Sequence, residues 1–337
     1  MRRIIAAISF FVIANSAKAQ DIHFSEFWAT PMFSNPALTG HFEGTYRFNG
    51  IIRNQWSSVS SEPFQTFGGG IDMNAPFNLK PFGVGLFITT DNAGLSALIT
   101  TEVQGLIAGR FKLGNWENIK LHFGAKGGII QQSIDYSKLN FGDQFNGIRF
   151  DPTSISGDLT NGGARTMVLN FGAGSFLERR ISERRRIGLG YSLYNINQPD
   201  LSYSKSFEAR VTMRHNVLFI SSLQMPAKWD FMPSAQLNLQ GNQNELVLGS
   251  AFRYHINTSP LNPQAVRLGA WTRAGDAINI GLGFELNNLH ISGSYDINYS
   301  TLKSASNYRG AWEASVMYII PTVREKVKRL RQCPDYL

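Results

Sequence analysis

Apolar and polar residues alternate along most of this chain, which is the pattern of a β-strand with one apolar and one polar face. Between 278 and 286, for example, Ile278, Ile280, Leu282, Phe284 and Leu286 alternate with smaller or polar residues. Similar runs occupy 119–129, 289–297, 312–320, 45–56, 64–74, 82–91, 98–111, 166–177, 186–194, 211–224, 230–240, 245–255 and 265–273. The pattern predicts fourteen strands, many close to the roughly 9–11 residues with which a tilted strand crosses a bilayer.

Short turn-forming pieces separate many of these runs, and no amphipathic helix of comparable strength interrupts them. The turns include Gly114-Asn115, Gly241-Asn242, Ala274-Gly275-Asp276 and Asn287-Asn288. Such pieces favour tight reversals between neighbouring strands. We therefore expect an all-β chain in which consecutive strands pair antiparallel, in an up-and-down order.

The residues on the two faces distinguish a membrane barrel from a soluble sheet. A membrane barrel turns its apolar face to lipid and its polar face to an enclosed interior. The candidate lumen-facing residues are Arg47, Arg53, Glu102, Lys120, Lys126, Arg267, Glu285, Asp296 and Glu313. Aromatic residues near strand ends are predicted to form interfacial girdles: Tyr46, Trp56, Phe111, Trp271, Tyr295, Trp312 and Tyr318. We predict a transmembrane outer-membrane β-barrel of about 14 strands, with a secreted β-sandwich as the alternative.

The first 19 residues have the features of a secretory signal peptide. Met1-Arg2-Arg3 is followed by an apolar run from Ile4 to Ala14 and by Ala17-Lys18-Ala19. The apolar run is too short for a membrane anchor, which needs about 20 residues. We expect cleavage after Ala19 and export to the outer membrane.

Composition fits a wall with one face in lipid. The chain has 32 Gly and 24 Phe, and only 17% of its residues are charged, against about a quarter in soluble domains. The formal net charge of +8 is scattered along the strand-like runs without a nucleic-acid-binding motif, so no nucleic-acid partner is expected. The single cysteine, Cys333, cannot form an intramolecular disulfide, and its role stays open.

The chain divides around the predicted barrel, which spans 45–320. The segment 20–44 precedes it and holds Phe24, Phe27, Trp28, Met32 and Phe33; it either plugs the barrel or docks a periplasmic partner. With both barrel termini in the periplasm, the connections 57–63, 132–164, 195–210 and 298–308 face outward. Residues 321–337 form a basic periplasmic tail, either solvated or used to dock a periplasmic partner.

No catalytic motif is visible, so no enzymatic activity, cofactor or metal is expected. His122, His255 and His290 lie on the polar faces of their predicted strands. Hydrogen-bonded interior residues are a simpler interpretation of them than a metal site. Glu285, Asp296 and Glu313 are expected to pair with Arg267 or Arg273.

The long connection 132–164 is the strongest candidate for partner recognition, since it mixes aromatic and hydrogen-bonding groups. Its candidate binding residues are Asp135, Tyr136, Lys138, Leu139, Phe141, Asp143 and Phe145. A loop that merely folds over the barrel mouth is the alternative.

Several ordered stretches resemble the PorP/SprF family of type IX secretion membrane proteins. They are Gln20–Phe27, Ser34–Gly40, Arg53–Trp56, Ser133–Leu139 with Asp143-Gln144-Phe145, Ser294–Leu302, Gly310–Glu313 and Cys333-Pro334. They are spread over almost all of the chain beyond the signal peptide. The Asn35-Pro36-Ala37 piece is the least specific, since it also resembles fatty-acid-transporter-like barrels.

The resemblance implies a non-enzymatic outer-membrane component of the type IX secretion system. Its partners would be a secreted cargo protein, such as a gliding adhesin, periplasmic secretion components and outer-membrane lipid. The alternatives are a FadL-like or porin-like transporter of small molecules, favoured by Asn35-Pro36-Ala37 and a charged interior, and a purely structural outer-membrane protein.

Overall fold

The chain folds into one closed antiparallel barrel of 14 strands, in which each strand pairs with its neighbours in sequence. The computed structural model describes residues 22–57, 62–94, 98–114, 116–135, 139, 142–147, 149, 151, 154, 165–203, 208–259, 262–300 and 303–322. Closure occurs between β1 and β14, where Gly50 lies opposite Val316. Because every strand then has two neighbours, the barrel leaves no open sheet edge in hydrocarbon.

The strands follow one another in chain order around the barrel. They are β1 (Tyr46–Gln55), β2 (Phe64–Asn74), β3 (Phe82–Ala93), β4 (Leu98–Leu113), β5 (Trp116–Ile134), β6 (Arg165–Arg180), β7 (Arg186–Tyr194), β8 (Arg214–Gln224), β9 (Trp229–Gln240), β10 (Gln243–Asn257), β11 (Gln264–Arg273), β12 (Ala277–Leu286), β13 (Leu289–Asn298) and β14 (Arg309–Ile320). Short helical turns lie at Pro31–Ser34, Pro36–Leu38, Pro76–Asn78, Gly142–Gln144 and Lys303–Ser306.

The alternating pattern has a direct structural counterpart. The apolar residues of β12 point outward, and Ile278, Ile280, Leu282, Phe284 and Leu286 are all exposed. On β14, Trp312 and Val316 are exposed while Glu313 is buried. The fourteen-strand prediction is therefore confirmed, and the barrel carries an apolar outer surface suited to lipid.

The two ends of the barrel differ in the length of their connections. We call the end where β1 begins and β14 ends the terminal rim, and the opposite end the loop rim. The connections 75–81, 114–115, 181–185, 225–228, 258–263 and 287–288 lie at the terminal rim. The much longer connections 135–164, 195–213 and 299–308 all lie at the loop rim, as in outer-membrane barrels, whose long loops are extracellular.

Two details differ from the sequence expectations. β5 continues to Ile134, paired with Leu98 of the equally long β4, so the expected loop 132–164 begins three residues later. Trp271 does not belong to a girdle, because it points inward and is 4% exposed. It shares its parity with the inward-facing Arg267 and Arg273.

Tight reversals hold two pairs of neighbouring strands in register at the loop rim. Gly241 and Gly275 occupy positive-φ positions in the β9–β10 and β11–β12 turns, where glycine avoids steric strain. No helix in the described part of the chain combines the length and apolarity needed to cross a membrane.

Candidate functional site: the barrel interior and the loop rim

The interior of the barrel is filled by residues 22–44, the described part of the N-terminal segment (20–44). Residue 22 lies near the loop rim, where the Ile22 carbonyl accepts a hydrogen bond from Arg214 at 3.2 Å. Residue 40 lies near the terminal rim, where the Gly40 amide donates to Asp72 at 2.7 Å. The segment thus runs through the barrel from one rim to the other.

Apolar side chains of the segment pack on apolar patches of the inner wall. Phe27 and Leu38 join Phe176, Leu218 and Trp271 in one buried cluster. Further clusters pair Phe24 with Ile51, and Met32 with Phe87 and Leu106. This removal of apolar surface from water favours the docked segment.

A network of charges near the loop rim holds the start of the segment. Arg53 forms ion pairs with Glu313 and with Asp296, the latter at 3.1 Å. The two carboxylate oxygens of Glu313 accept the backbone N–H groups of Ser25 at 2.7 Å and Glu26 at 2.8 Å. Because one carboxylate serves a wall arginine and two segment amides together, the segment completes the network.

Polar contacts continue below this network. The Glu26 side chain is fully buried and accepts hydrogen bonds from Ser292 at 2.7 Å and Ser315 at 2.6 Å. Arg273 donates to the Ser25 hydroxyl at 2.5 Å and lies 3.5 Å from Asp296. These contacts give partners to the buried hydroxyls and to one Glu26 carboxylate oxygen, as burial requires, whereas the other oxygen, Oε1, has no hydrogen-bond partner among the described residues.

The Asn35-Pro36-Ala37 turn sits against β5 and β6. Asn35 donates to the Ser175 carbonyl at 3.0 Å, and its side-chain oxygen accepts the Ala37 amide at 2.9 Å. A Cβ on Gly124 would lie 2.4 Å from Pro36, and one on Gly174 would lie 2.3 Å from the Asn35 side chain. These two glycines therefore create the space that the turn occupies.

At the terminal rim, Arg47 and Asp72 hold the end of the segment. Arg47 donates to Asp72 at 2.9 and 2.6 Å and to the Leu38 carbonyl at 3.1 Å. Both side chains are buried. The bidentate pair and the Gly40 amide satisfy the Asp72 carboxylate on several sides.

The remaining candidate interior residues have the following surroundings. Lys126 pairs with Glu102 at 3.1 Å, and Arg267 lies over the Trp28 ring at 5.4 Å. Lys120 lies opposite Glu178 in the strand register. Glu285 pairs with Arg253 at 3.5 Å. The expected pairing with Arg273 holds for Asp296, whereas Glu313 pairs with Arg53 and Glu285 with Arg253.

Sequence reasoning missed several interior charges. Asp230 binds Arg184, Arg253 and His255, each at 2.7 Å, and Asp72 pairs with Arg47. Asp72 and Arg253 lie at alternating polar positions of their strands, and this pattern could have identified them as interior residues. No such signal existed for Ser25 and Glu26, because they belong to no strand.

The candidate loop residues are only partly described. Tyr136, Lys138 and Phe141 lie outside the described residues. Asp135, Leu139, Asp143 and Phe145 lie beyond the end of β5 at the loop rim, and Phe145 is 54% exposed. Nearby, Gln144 is buried and donates to the Ser154 carbonyl at 2.9 Å, so this part of the loop is folded while Phe145 projects from it.

The connection between β7 and β8 is held by its own backbone. Asp200 forms an isolated bridge with Arg210, and its side chain accepts the Ser202 and Ala209 amides at 3.0 Å each. These hydrogen bonds hold the pKa of Asp200 below its ordinary value, and the bond from the Ala209 amide has the largest effect. Ile196, at the base of this connection, is exposed.

Comparisons with known proteins agree with this architecture. The family model described as type IX secretion system membrane protein PorP/SprF matches residues 16–318. Among curated proteins, no sequence matches the chain significantly.

The chain is similar in fold to solved outer-membrane channels. These include the TodX monoaromatic hydrocarbon channel deltaS2 mutant (13% identity, TM-score 0.51, 86% of this chain and 93% of that chain). They also include the CymD monoaromatic hydrocarbon channel (9% identity, TM-score 0.50, 91% of this chain and 95% of that chain). A third is the Pseudomonas putida toluene transporter TodX (11% identity, TM-score 0.50, 89% of this chain and 95% of that chain). At such identities the likeness shows an outer-membrane barrel fold alone.

Proposed function

Because the chain belongs to the PorP/SprF family of type IX secretion system membrane proteins, we propose that it is a non-enzymatic accessory barrel of that system. It supports secretion or cell-surface attachment of one cognate cargo protein, such as an adhesin used in gliding. In this proposal a signal peptide, 1–19, directs export, the terminal rim faces the periplasm, and cargo is held at the loop rim.

The observation that carries this proposal is the filled interior. Glu26, Asn35 and Ala37 of the N-terminal segment are fully buried, and the segment is tied to the wall at both rims. A polypeptide passing through the barrel would have to displace these contacts, and uncompensated buried charges would remain. The proposal therefore assigns cargo handling to the loop rim and gives the segment the role of a plug.

Exposed apolar residues at the loop rim support a protein partner there. Phe145, Ile196 and Tyr308 are exposed on three different connections. Protein interfaces are enriched in aromatic anchors surrounded by hydrogen-bonding groups. The candidate recognition surface comprises these three residues with Asp135, Tyr136, Lys138, Leu139, Phe141 and Asp143.

The proposal places other components of the secretion system at the terminal rim. Phe77, in the connection between β2 and β3, is 93% exposed there. The basic tail, 321–337, continues from β14 in sequence, and the structure describes only its first two residues, which lie at the same rim. Both could meet periplasmic components, while the outward apolar faces of the strands contact outer-membrane lipid.

Surface proteomics on a deletion strain tests the proposal. Loss of one exported protein from the cell surface is expected, with recovery on complementation. A Phe145→Asp chain should fail to restore display, whereas Met225→Asp, at an exposed apolar residue of the β8–β9 connection on the opposite rim, should restore it. Unchanged display of every exported protein in the deletion strain would refute the role in secretion, and failure of Met225→Asp alone would refute the loop-rim surface.

A second candidate is transport of small molecules, the activity named for the hydrocarbon channels of similar fold. The recess between the N-terminal segment and the wall, lined by His23, Phe24, Tyr194, Arg214 and Asn216 among others, has a volume of about 10 Å³. This is far below the roughly 300 Å³ of small ligand pockets, so a transported solute would have to displace part of the segment. Solute-selective flux through the purified barrel in liposomes would support transport, and an impermeant barrel that copurifies with a large exported protein would exclude it.

A further inference from the structure

Three side chains with metal-ligating atoms meet near the terminal rim: His41 of the N-terminal segment, His122 of β5 and Glu178 of β6. Their candidate ligand atoms all lie within 4.8 Å of one another. The His41 Nε2 and Glu178 Oε1 atoms are 3.4 Å apart, and the two imidazole rings have centroids 4.5 Å apart. Three separate elements thus direct donor atoms at one point.

The surroundings of His122 point to a missing ligand. Its side chain is fully buried, and neither ring nitrogen has a hydrogen-bond partner among the described residues. A buried polar group without a partner is costly, and native structures rarely leave one so. A cation bound to one of these nitrogens would remove the cost for that nitrogen.

The spacing of the donors suits a small tetrahedral cation. With zinc–ligand bonds of about 2.0–2.1 Å, neighbouring ligand atoms in a tetrahedron lie about 3.3–3.4 Å apart. The separation of His41 and Glu178 already has this value, and small side-chain rotations would bring in His122. Two imidazoles and one carboxylate form a donor set that zinc accepts, with a fourth position left for water.

The site is partly closed and carries mixed charge. Phe176 packs against both rings, with centroids 5.9 Å from His41 and 6.0 Å from His122. In the strand register, Arg110 lies opposite His122 and Lys120 opposite Glu178. These cations weaken the attraction for a divalent ion, so binding depends on all three ligands together.

We propose that His41, His122 and Glu178 bind one divalent transition-metal ion, with Zn²⁺ the best match. Because His41 directly follows the buried part of the N-terminal segment, the ion clamps the end of that segment to β5 and β6. Metal binding then stabilises the filled interior by mass action, since the clamp exists only in the docked state.

The test uses the full-length mature barrel without a histidine tag, purified in detergent, incubated with Zn²⁺ and desalted. Elemental analysis should find one Zn²⁺ per chain, and His122→Ala should lower the retained metal at least tenfold. His41→Ala, which lies outside the strands and leaves barrel closure intact, should have the same effect. His255→Ala is the matched control, because its ring binds Asp230, and it should retain the metal.

A second measurement separates a built site from surface binding. Co²⁺ in the wild-type barrel should give the intense visible absorption of a tetrahedral site, and His41→Ala should abolish it. The proposal is overturned if the wild-type barrel retains no Zn²⁺, or if the His41→Ala chain retains as much as the wild type. Heat-modifiable migration of each variant on gels verifies that the barrel is folded.

Discussion

Trp28 of the N-terminal segment stacks on Trp271 of β11, with ring centroids 4.0 Å apart and an interplanar angle of 25°. The Trp271 indole N–H also donates to the Ser234 hydroxyl at 2.9 Å, which fixes the ring on the inner wall. The pair joins the plug to the barrel in the same region where the charges of Arg53, Asp296 and Glu313 meet.

Removing the Trp28 ring should loosen the segment without opening the barrel. We expect Trp28→Ala to cost about 3 kcal/mol, the lower end of the range for truncating an aromatic core residue, because the ring is only partly buried. Chymotrypsin cleavage within the N-terminal segment should then become at least about a hundredfold faster, since 1.4 kcal/mol corresponds to a tenfold change. Trp312→Ala, on the outer face, is the control, and equal cleavage rates for the two variants would contradict the stacking role.

Glu313 binds Arg53 and two backbone amides of the N-terminal segment in the loop-rim network. Glu313→Gln should lower the free energy of unfolding by about 3 kcal/mol or more, because Arg53 loses a buried partner. The denaturant midpoint in detergent measures this. As a control, Glu208→Gln breaks an exposed pair with Arg210 and should change the free energy of unfolding by less than about 1 kcal/mol. Equal denaturant midpoints for the two variants would show that Glu313 stabilises the barrel no more than an exposed ion pair does.

Gly124 and Gly174 leave the space that the Asn35-Pro36-Ala37 turn occupies, so adding a side chain at either position should destabilise the docked segment. Gly124→Ala and Gly174→Ala should each destabilise the docked segment by about 1–3 kcal/mol, the typical cost of overpacking. Gly105→Ala should have little effect, since a Cβ there would meet only the Gly127 carbonyl at 3.8 Å. Thermal melting of the barrel measures each variant.

A double-mutant cycle checks the cause of that loss. In a chain lacking residues 22–44, Gly124→Ala should cost much less than in the full chain, because its clash is with the segment. The same cost in both backgrounds would place the clash within the barrel wall and contradict the account.

The outward face of the barrel was predictable, but the contents of its interior were predictable only in part. Ile280 and Glu313 followed from alternation, because a strand has only two faces. Trp271 was misassigned as a girdle residue because its position near a strand end outweighed its parity. Its parity with Arg267 and Arg273 was the better guide.

The partners of interior residues could not be read from the chain. Glu178 shares the inward parity of β6, but the site with His41 depends on the path of the N-terminal segment, which has no periodicity. His122 was compared with His255 and His290, the histidines of like parity, whereas the described structure brings it to His41. Such pairings are set by the closed sheet and by the direction in which the segment runs.

Asp200 gives a pH-dependent prediction at the loop rim. Hydrogen bonds from the Ala209 and Ser202 amides lower its pKa below the ordinary value of 3.8. The ionised Asp200 carboxylate therefore orders the connection above about pH 3.8, and this contribution is lost as the pH falls through the lowered pKa. A spin label at Ser202→Cys, in a Cys333→Ser chain, should become more mobile in that acidic range.

The matched substitution is Asp200→Ala, which removes the acceptor at every pH. The label should then be mobile at neutral pH as well, with no further change on acidification. A label whose mobility follows pH equally in both chains would show that another group orders the connection.

The central claim is that the N-terminal segment fills the barrel interior, and cysteine protection measures it most directly. In a Cys333→Ser barrel reconstituted in liposomes, Ala29→Cys should resist a polar maleimide applied to both sides of the membrane. Ala209→Cys, on the exposed loop-rim connection, should react at once. Reaction of Ala29→Cys as fast as Ala209→Cys in the folded barrel would contradict the account.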